Sequence, residues 1–198
     1  AKAEGGKMPA DRYGKKPADR HGKELDKKFA GKYEKKSLDI EIADSPQKGR
    51  RNAPITIVVF TDFKCIHCSD WAKTLDAIVR EFPNDVRLVF KNFPLPFSAH
   101  SELAAKAGLA ANAKGKFWEM HDLLFKNREA LERKNLIAYA HNLGINATEF
   151  QEYLGKKELT DILEKDKSEA RQLGVVGAPT SFVNGIRLTG SKPVSYVR

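Results

Sequence analysis

The chain has 198 residues, 41% of them hydrophobic, and a formal charge of +9, which allows one packed domain or a domain with an extension. Its most apolar stretch, residues 55–60, is far too short to cross a bilayer. Two cysteines cannot build a disulfide scaffold, so the fold must rest on packing, and a lone pair fits a reducing or an oxidising compartment.

No signal peptide is legible and the sequence begins at Ala1 rather than Met, which fits a trimmed product that has lost an export signal. Residues 1–36 hold twelve Lys/Arg against six Asp/Glu, so +6 of the +9 lies there. This arm repeats itself: Pro9-Ala10-Asp11-Arg12-Tyr13-Gly14-Lys15 returns as Pro17-Ala18-Asp19-Arg20-His21-Gly22-Lys23. Two copies are too few for a solenoid, and Pro, Gly and charge predict a solvated, disordered segment over 1–37. Leu25, Phe29 and Tyr33 mark a short helix within it. Residues 38–43 alternate apolar and charged, which predicts a half-exposed edge strand, and 45–54 reads as a polar loop. Residues 55–61 are apolar on both faces and predict a buried central strand. Trp71, Leu75, Ile78, Val79 and Phe82 predict a helix over 65–82, stopped by Pro83. A second strand follows over 86–93. Helical spacing then dominates from about 98 to 173, with faces at Phe117, Trp118, His121, Leu124 and Phe125 and at Leu136, Ile137, Tyr139 and Ala140. After Gly177-Ala178-Pro179, residues 180–183 and 186–188 form a hairpin on Asn184-Gly185, a type I′ signal.

Both cysteines fall at the head of the first predicted helix, as Cys65-Ile66-His67-Cys68. A CxxC between a strand and a helix reads as a dithiol that opens and closes a disulfide. The chemistry needs that spacing. The first thiol sits at a helix N-terminus, where free N–H groups and the macrodipole favour a thiolate, and the second is one turn on, near enough to resolve a mixed disulfide. The same motif can be half a zinc site, completed by His67, His100, His121 or His141, but no second CxxC exists, so no metal is expected. A static disulfide in so small a loop would constrain little of the unfolded chain. His121, on an apolar face, reads as a packed position, and His100 as a cap for the inserted helices. Phe63 and Trp71 near the dithiol form either an apolar substrate platform or plain core. Residues 93–97, Phe-Pro-Leu-Pro-Phe, read as a hinge with a packing role in preference to a peptide groove.

The predicted order is strand, strand, CxxC helix, strand, helical block, hairpin. A strand–helix–strand unit closed by a hairpin is the thioredoxin topology, which gives an α/β thioredoxin domain over 38–198 with an inserted α-helical domain at about 98–173. The chain resembles the DsbA-type thiol–disulfide oxidoreductases, in particular the bacterial branch with a compact helical insertion. The resemblance runs over about 38–190 and is carried by residues 53–63, the CxxC, Gly115-Lys116-Phe117-Trp118-Glu119-Met120-His121-Asp122-Leu123-Leu124-Phe125, and residues 173–185 around Gly177-Ala178-Pro179-Thr180. It implies that Cys65 is the exposed nucleophile and Cys68 the resolving thiol. Pro179 falls on the loop proline that is cis in this family and faces the dithiol; it is also held to keep metals off the thiols. The backbone of Ala178 would then pair with an extended substrate chain, with Ile66 and Phe63 as further substrate contacts. His67, just before Cys68, would tune the thiolate, and Lys64 would add positive charge, so that Cys65 ionises more readily than a free cysteine and the disulfide is a strong oxidant. The chain departs from the family in three places. Val59 stands six positions before the nucleophile, where such proteins often bury an acid, and Asp62 is out of that register. Ile66 replaces a common Pro. The usual final helix is short or missing after Pro193.

The function so implied is a dithiol oxidase acting on reduced or misoxidised exported polypeptides in the periplasm or cell envelope. It needs no cofactor beyond the Cys65–Cys68 disulfide and is re-oxidised by a membrane partner of the DsbB type. The alternative in the same chemistry is a reductase or isomerase, although isomerases of this kind dimerise through an N-terminal domain and residues 1–36 are short for one. The alternative of another class is a binding module whose basic arm docks on an anionic partner, nucleic acid or anionic lipid, with the fold as a carrier.

Overall fold

A computed structural model describes residues 38–190. The duplicated arm, the helix expected over 25–36 and the chain after 190 lie outside the described residues. In chain order the elements are β1 (Gln47–Gly49), β2 (Ile55–Thr61), α1 (Ile66–Glu81), β3 (Val86–Asn92), α2 (Ser101–Asn112), α3 (Phe117–Lys126), α4 (Arg133–Asn142), α5 (Ala147–Leu154), α6 (Lys157–Gln172), β4 (Thr180–Val183) and β5 (Ile186–Thr189).

One five-stranded sheet runs β1-β3-β2-β4-β5. β2 and β3 are parallel, from Ile55 opposite Val86 to Thr61 opposite Asn92, and α1 is their crossover. The other pairings are antiparallel. The central strand divides its side chains by the period of two. Ile57 and Val59 meet Trp71, Leu75, Ile78 and Val79 of α1. Val58 and Phe60 meet Val89, Phe182 and Ala170 of α6 on the other face. A strand covered on both faces has no polar side to show, which is why residues 57–60 are continuously apolar. The β4–β5 turn holds Asn184 at φ 47° and Gly185 at φ 80°, as a type I′ turn requires. Asn184 also fastens the hairpin to β2: its side chain accepts from Thr56 N–H at 2.8 Å and donates to the Pro54 carbonyl at 3.1 Å.

The edge strand is not where the alternation of 38–43 predicts it. That segment is irregular. Leu38, Ile40 and Ile42 do turn one side inward, onto the cluster around Phe60 and Phe182. Its amides, however, bond elsewhere than to a strand: Leu38 N–H to the Gly185 carbonyl at 3.1 Å and Glu41 N–H to Glu169 Oε1 at 2.7 Å. Alternation records one-sided burial, and burial does not need a ladder. The edge strand is Gln47–Gly49, inside the predicted polar loop, antiparallel to β3. Gly49 makes the close approach possible: at φ 92°, a Cβ there would stand 2.3 Å from the Val86 carbonyl oxygen.

Helices α2 to α5 form their own core with Phe63, Cys68 and Phe90 from the sheet region. α6 returns to the sheet and is held by a buried charge network. Lys91 of β3 pairs with Asp166 at 3.2 Å and Glu169 at 2.9 Å, and the Asn92 backbone and side chain both donate to Asp166 Oδ2 at 2.9 Å. Burial pushes the Asp166 carboxyl above the usual carboxylate range, against the pull of Lys91. A carboxyl raised by folding binds its proton more tightly in the native state, so its penalty is absent below its unfolded titration and grows as pH rises through the raised one. Lys91→Met should therefore cost about 3–5 kcal/mol at neutral pH, because the buried Asp166 and the half-buried Glu169 lose their cation. Part of that loss should return on acidification to about pH 5, as the Asp166 carboxyl takes up a proton. Urea unfolding at the two pH values measures both effects.

Candidate active site

Strand β2 ends at Thr61, the chain turns through Asp62, Phe63 and Lys64, and Cys65 is the N-cap of α1. Cys65 N–H bonds to the Asp62 carbonyl at 3.2 Å, and the Cys65 carbonyl accepts from Ser69 N–H at 3.1 Å, opening the helix. No acidic residue occupies the first turn of α1, so the free amides and the positive end of the dipole are left to the thiol. Cys65 is half-buried and Cys68, one turn on, is 1% exposed; both are free thiols.

Across from α1, the Ala178–Pro179 bond is cis, and Cys65 Sγ lies 3.6 Å from the Ala178 carbonyl oxygen. The structure thus brings Cys65, Cys68, Ala178 and Pro179 together. Burial pushes the Cys68 thiol far above its ordinary range. The Thr61 hydroxyl and the Asp62 backbone N–H hydrogen-bond to its sulfur and pull the other way, and the charge and hydrogen bond of Cys65 push it up further. Cys68 therefore holds its proton at neutral pH, and Cys65 is the sulfur that meets solvent and partners.

Ile66 is 51% exposed beside Cys65, as a substrate contact would be, and Val176, three residues before Pro179, is 93% exposed. His67 is exposed on the first turn of α1 and makes no hydrogen bond to either thiol among the described residues. Phe63 does not fit the substrate role given to it. It is 1% exposed, stacks on Phe90 at 5.2 Å and packs against Phe125 at 4.9 Å, so it has no surface to offer. Trp71 is core too, its indole N–H donating to Ser181 Oγ at 2.8 Å. His100 is the N-cap of α2, but its side chain makes no capping bond. In the hinge, Phe93 packs inward and Phe97 stands 82% exposed. Among the described residues no group of three or more His, Cys, Asp or Glu converges as metal ligands do.

Two residues support the site in ways the sequence did not show, although Asp62 stood out as an acid beside the expected register. Asp62 is buried, and its carboxylate accepts from Lys64 N–H at 2.8 Å, Leu95 N–H at 2.8 Å and the Ser101 hydroxyl at 2.8 Å. It ties the approach to Cys65 to the hinge and the start of α2. Glu129, in the α3–α4 connection, pairs with Lys64 at 2.7 Å, and the Lys64 hydrogen bond and charge hold its carboxyl below the usual range. A sequence signal for Asp62 was its place at the end of a central strand; Glu129 gave none.

The sequence model of the thioredoxin family matches residues 43–197. The chain belongs to the thioredoxin family. Its fold is DsbA-like: the thiol-disulfide exchange protein alpha-DsbA2 from Wolbachia pipientis superposes with a TM-score of 0.72 at 19% identity, covering 91% of this chain and 96% of that one. A thioredoxin-like oxidoreductase from Silicibacter pomeroyi DSS-3 superposes with a TM-score of 0.72 at 26% identity, covering 78% of this chain and 88% of that one. BdbD from Bacillus subtilis superposes with a TM-score of 0.71 at 25% identity, covering 77% and 88%. In sequence, the Na(+)/H(+) antiporter NhaA 1 of Salinispora arenicola is 35% identical over 145 residues, which is 73% of this chain and 22% of the antiporter. The chain thus spans about a fifth of the length of the curated relatives it matches. The thioredoxin family supplies thiol–disulfide oxidoreductases, and the dithiol geometry agrees with that chemistry.

The burial difference between the sulfurs predicts one-sided labelling. Iodoacetamide should modify Cys65 in the native dithiol protein and leave Cys68 unlabelled until denaturant is added. Peptide mass mapping of the two cysteines checks this, and early labelling at Cys68 would contradict the geometry.

Proposed function

We propose that this chain exchanges dithiols for disulfides on reduced or misoxidised exported polypeptides, working in the oxidising direction in the periplasm or cell envelope. The observation that carries the reading is the half-buried Cys65 sulfur at the head of α1, 3.6 Å from the Ala178 carbonyl, with Cys68 buried behind it. A substrate thiolate attacks Cys65 Sγ of the enzyme disulfide, Cys68 leaves and is protonated, and a second substrate thiol displaces Cys65. The substrate leaves oxidised and the enzyme leaves as the dithiol. The Ala178 backbone runs beside the mixed disulfide and can pair with an extended substrate segment, with Pro179 holding that loop opposite the dithiol. Exposed Ile66 and Val176 supply apolar contact on the two sides. His67, exposed next to Cys68, adds positive charge near the thiols when protonated. No organic cofactor or metal enters the cycle, and a membrane partner of the DsbB type would renew the disulfide.

The likeness to BdbD, a protein solved in an oxidised form, supports a dithiol that cycles through a disulfide. The likeness to part of the NhaA 1 antiporter supports an envelope setting, and among the described residues no helix is long and apolar enough to cross a membrane. One observation favours the reductase direction instead: Glu129 occupies the Lys64 ammonium, so that positive charge is partly spent before it reaches Cys65.

The redox equilibrium against glutathione separates the two. An oxidase should be half reduced at about −120 mV and a reductase at about −270 mV. Cys65→Ser should abolish peptide oxidation and insulin reduction alike, and Cys68→Ser should accumulate mixed disulfides at Cys65. Activity surviving in Cys65→Ser would end the dithiol reading.

A further inference from the structure

Cys68 must lose or gain a proton in every turnover, yet it is 1% exposed. Behind it lies a narrow, mostly apolar cleft of about 10 Å³, where Cys68, Thr61, Lys48, Asp76 and His121 line a space otherwise walled by residues such as Trp71 and Phe90. That is the smallest space that holds one water, and the Cys68 thiol, the Thr61 hydroxyl and the His121 ring are the polar groups there that could bind it. His121 is the packed residue the sequence indicates, 7% exposed and set edge-on to Phe63, Phe90 and Phe125. It has a second property. The same ring lines an open hollow on the outer surface, of about 550 Å³, together with Ser69, Asp76 and Asp122. His121 is therefore a wall shared by the buried cavity and the solvent side. Its Nδ1 lies 2.8 Å from Asp122 Oδ1, and the Asp122 side chain is 73% exposed. A carboxylate only accepts, so Nδ1 carries the hydrogen and Nε2 is the basic nitrogen.

We propose that His121, through one water in the cavity behind Cys68, relays the proton of the resolving thiol to and from solvent, with Asp122 fixing the imidazole. The inference rests on the dithiol exchange proposed above. In the resolving direction the Cys68 S–H bond breaks, its proton passes through the water to Nε2, and the Cys68 sulfur pair forms the bond to Cys65 Sγ. The Cys65–substrate S–S bond breaks in the same step, and the substrate leaves as a thiolate. The imidazolium then returns its proton to solvent. In the oxidising direction the departing Cys68 thiolate takes a proton from the imidazolium. An imidazole can both accept and donate a proton, which suits both directions. The charged or titratable groups around it are Asp122 and Lys126 on its own helix, Arg128 just after it, Lys73, Asp76 and Cys68 on α1, and Lys48 on β1; Arg80 and Lys48 also act on Asp122. Asp76 lines both spaces as well, but Lys48 and Arg80 hold its carboxylate as an ion pair. Asp122 is itself held below the usual carboxylate range, first by the hydrogen bond from His121.

Rapid mixing of the reduced protein with dithiobis-nitrobenzoate separates the steps. The first coloured thiolate reports attack by Cys65, and the second reports resolution by Cys68. His121→Gln should leave the first phase within about twofold and slow the second by about tenfold or more, with a flattened pH dependence of that phase. Asp122→Asn, on the surface, should keep the fold and alter the pH dependence of the second phase. A folded His121→Gln protein with an unchanged second phase overturns the relay, as does equal slowing of both phases or a second phase that falls only in Asp76→Asn. Should His121→Gln not fold, Asp122→Asn decides, and an unchanged pH profile overturns the relay. If the unsubstituted protein releases no first thiolate, the dithiol reading itself has failed, which is a different result from an unaltered second phase.

Discussion

The structure depends on one asymmetry: two sulfurs one helical turn apart, one facing solvent and the other sealed. Helix α1 creates it. Its first residues emerge from the C-terminal end of the parallel β2–β3 pair, so the N-terminal amides point out of the sheet while the first buried turn points into it. Cys65 takes the N-cap and meets Ala178. Cys68 falls into the core of the helical block. The same helix also buries Trp71, Leu75, Ile78 and Val79 on the sheet. Neither sulfur can shift without sliding the whole helix over that apolar contact. Burial then separates the chemistry of the thiols, because removing a sulfur from water penalises its anion.

The helical block takes part in this arrangement. Phe63, Cys68 and Phe90 belong to its core, so the helical block as well as the sheet desolvates the resolving thiol. Two polar ties reinforce the contact. Asp62 gathers Lys64 N–H, Leu95 N–H and the Ser101 hydroxyl into one buried acceptor set. The Lys64–Glu129 pair crosses to the α3–α4 connection. The second is an exposed pair of small energetic weight; the first is buried and fully engaged, and a buried carboxylate stripped of its donors costs far more. Asp62 is accordingly the residue through which the block and the nucleophile are kept in register.

What could be read beforehand follows from which interactions are local. The central strand was legible at residues 57–60 because burial on both faces removes every polar residue from the run. The hairpin was legible because Asn184-Gly185 suits positive φ at both positions. The helix of the dithiol was legible from its apolar stripe and from Pro83. The false strand at 38–43 shows the limit: Leu38, Ile40 and Ile42 alternate because one side is buried, while the amides bond to Gly185 and Glu169 instead of a neighbouring strand. Phe63 misled for a related reason. Nearness in sequence to Cys65 suggested nearness to substrate, yet a residue two before the N-cap points back into the core. Asp62 and Glu129 act through partners distant in sequence, and no local pattern announces them.

The position of Val59 connects these observations. An acid there would face the cavity behind Cys68 directly; a valine cannot move a proton. The cavity keeps polar character from other elements, Lys48 on β1, Asp76 on α1 and His121 on α3. β1 could reach it only because Gly49 lets the edge strand close on Val86, and α3 only because the block packs against Phe63 and Phe90. The valine completes the apolar face of the central strand, and the polar contacts of the buried sulfur come from its flanks. A thiol so placed is shielded on the strand side by apolar side chains and meets polar groups only on its flanks, at Thr61 and towards His121. Packing therefore decides which groups can reach the buried sulfur, and the helical block that seals it also brings His121 to the same space.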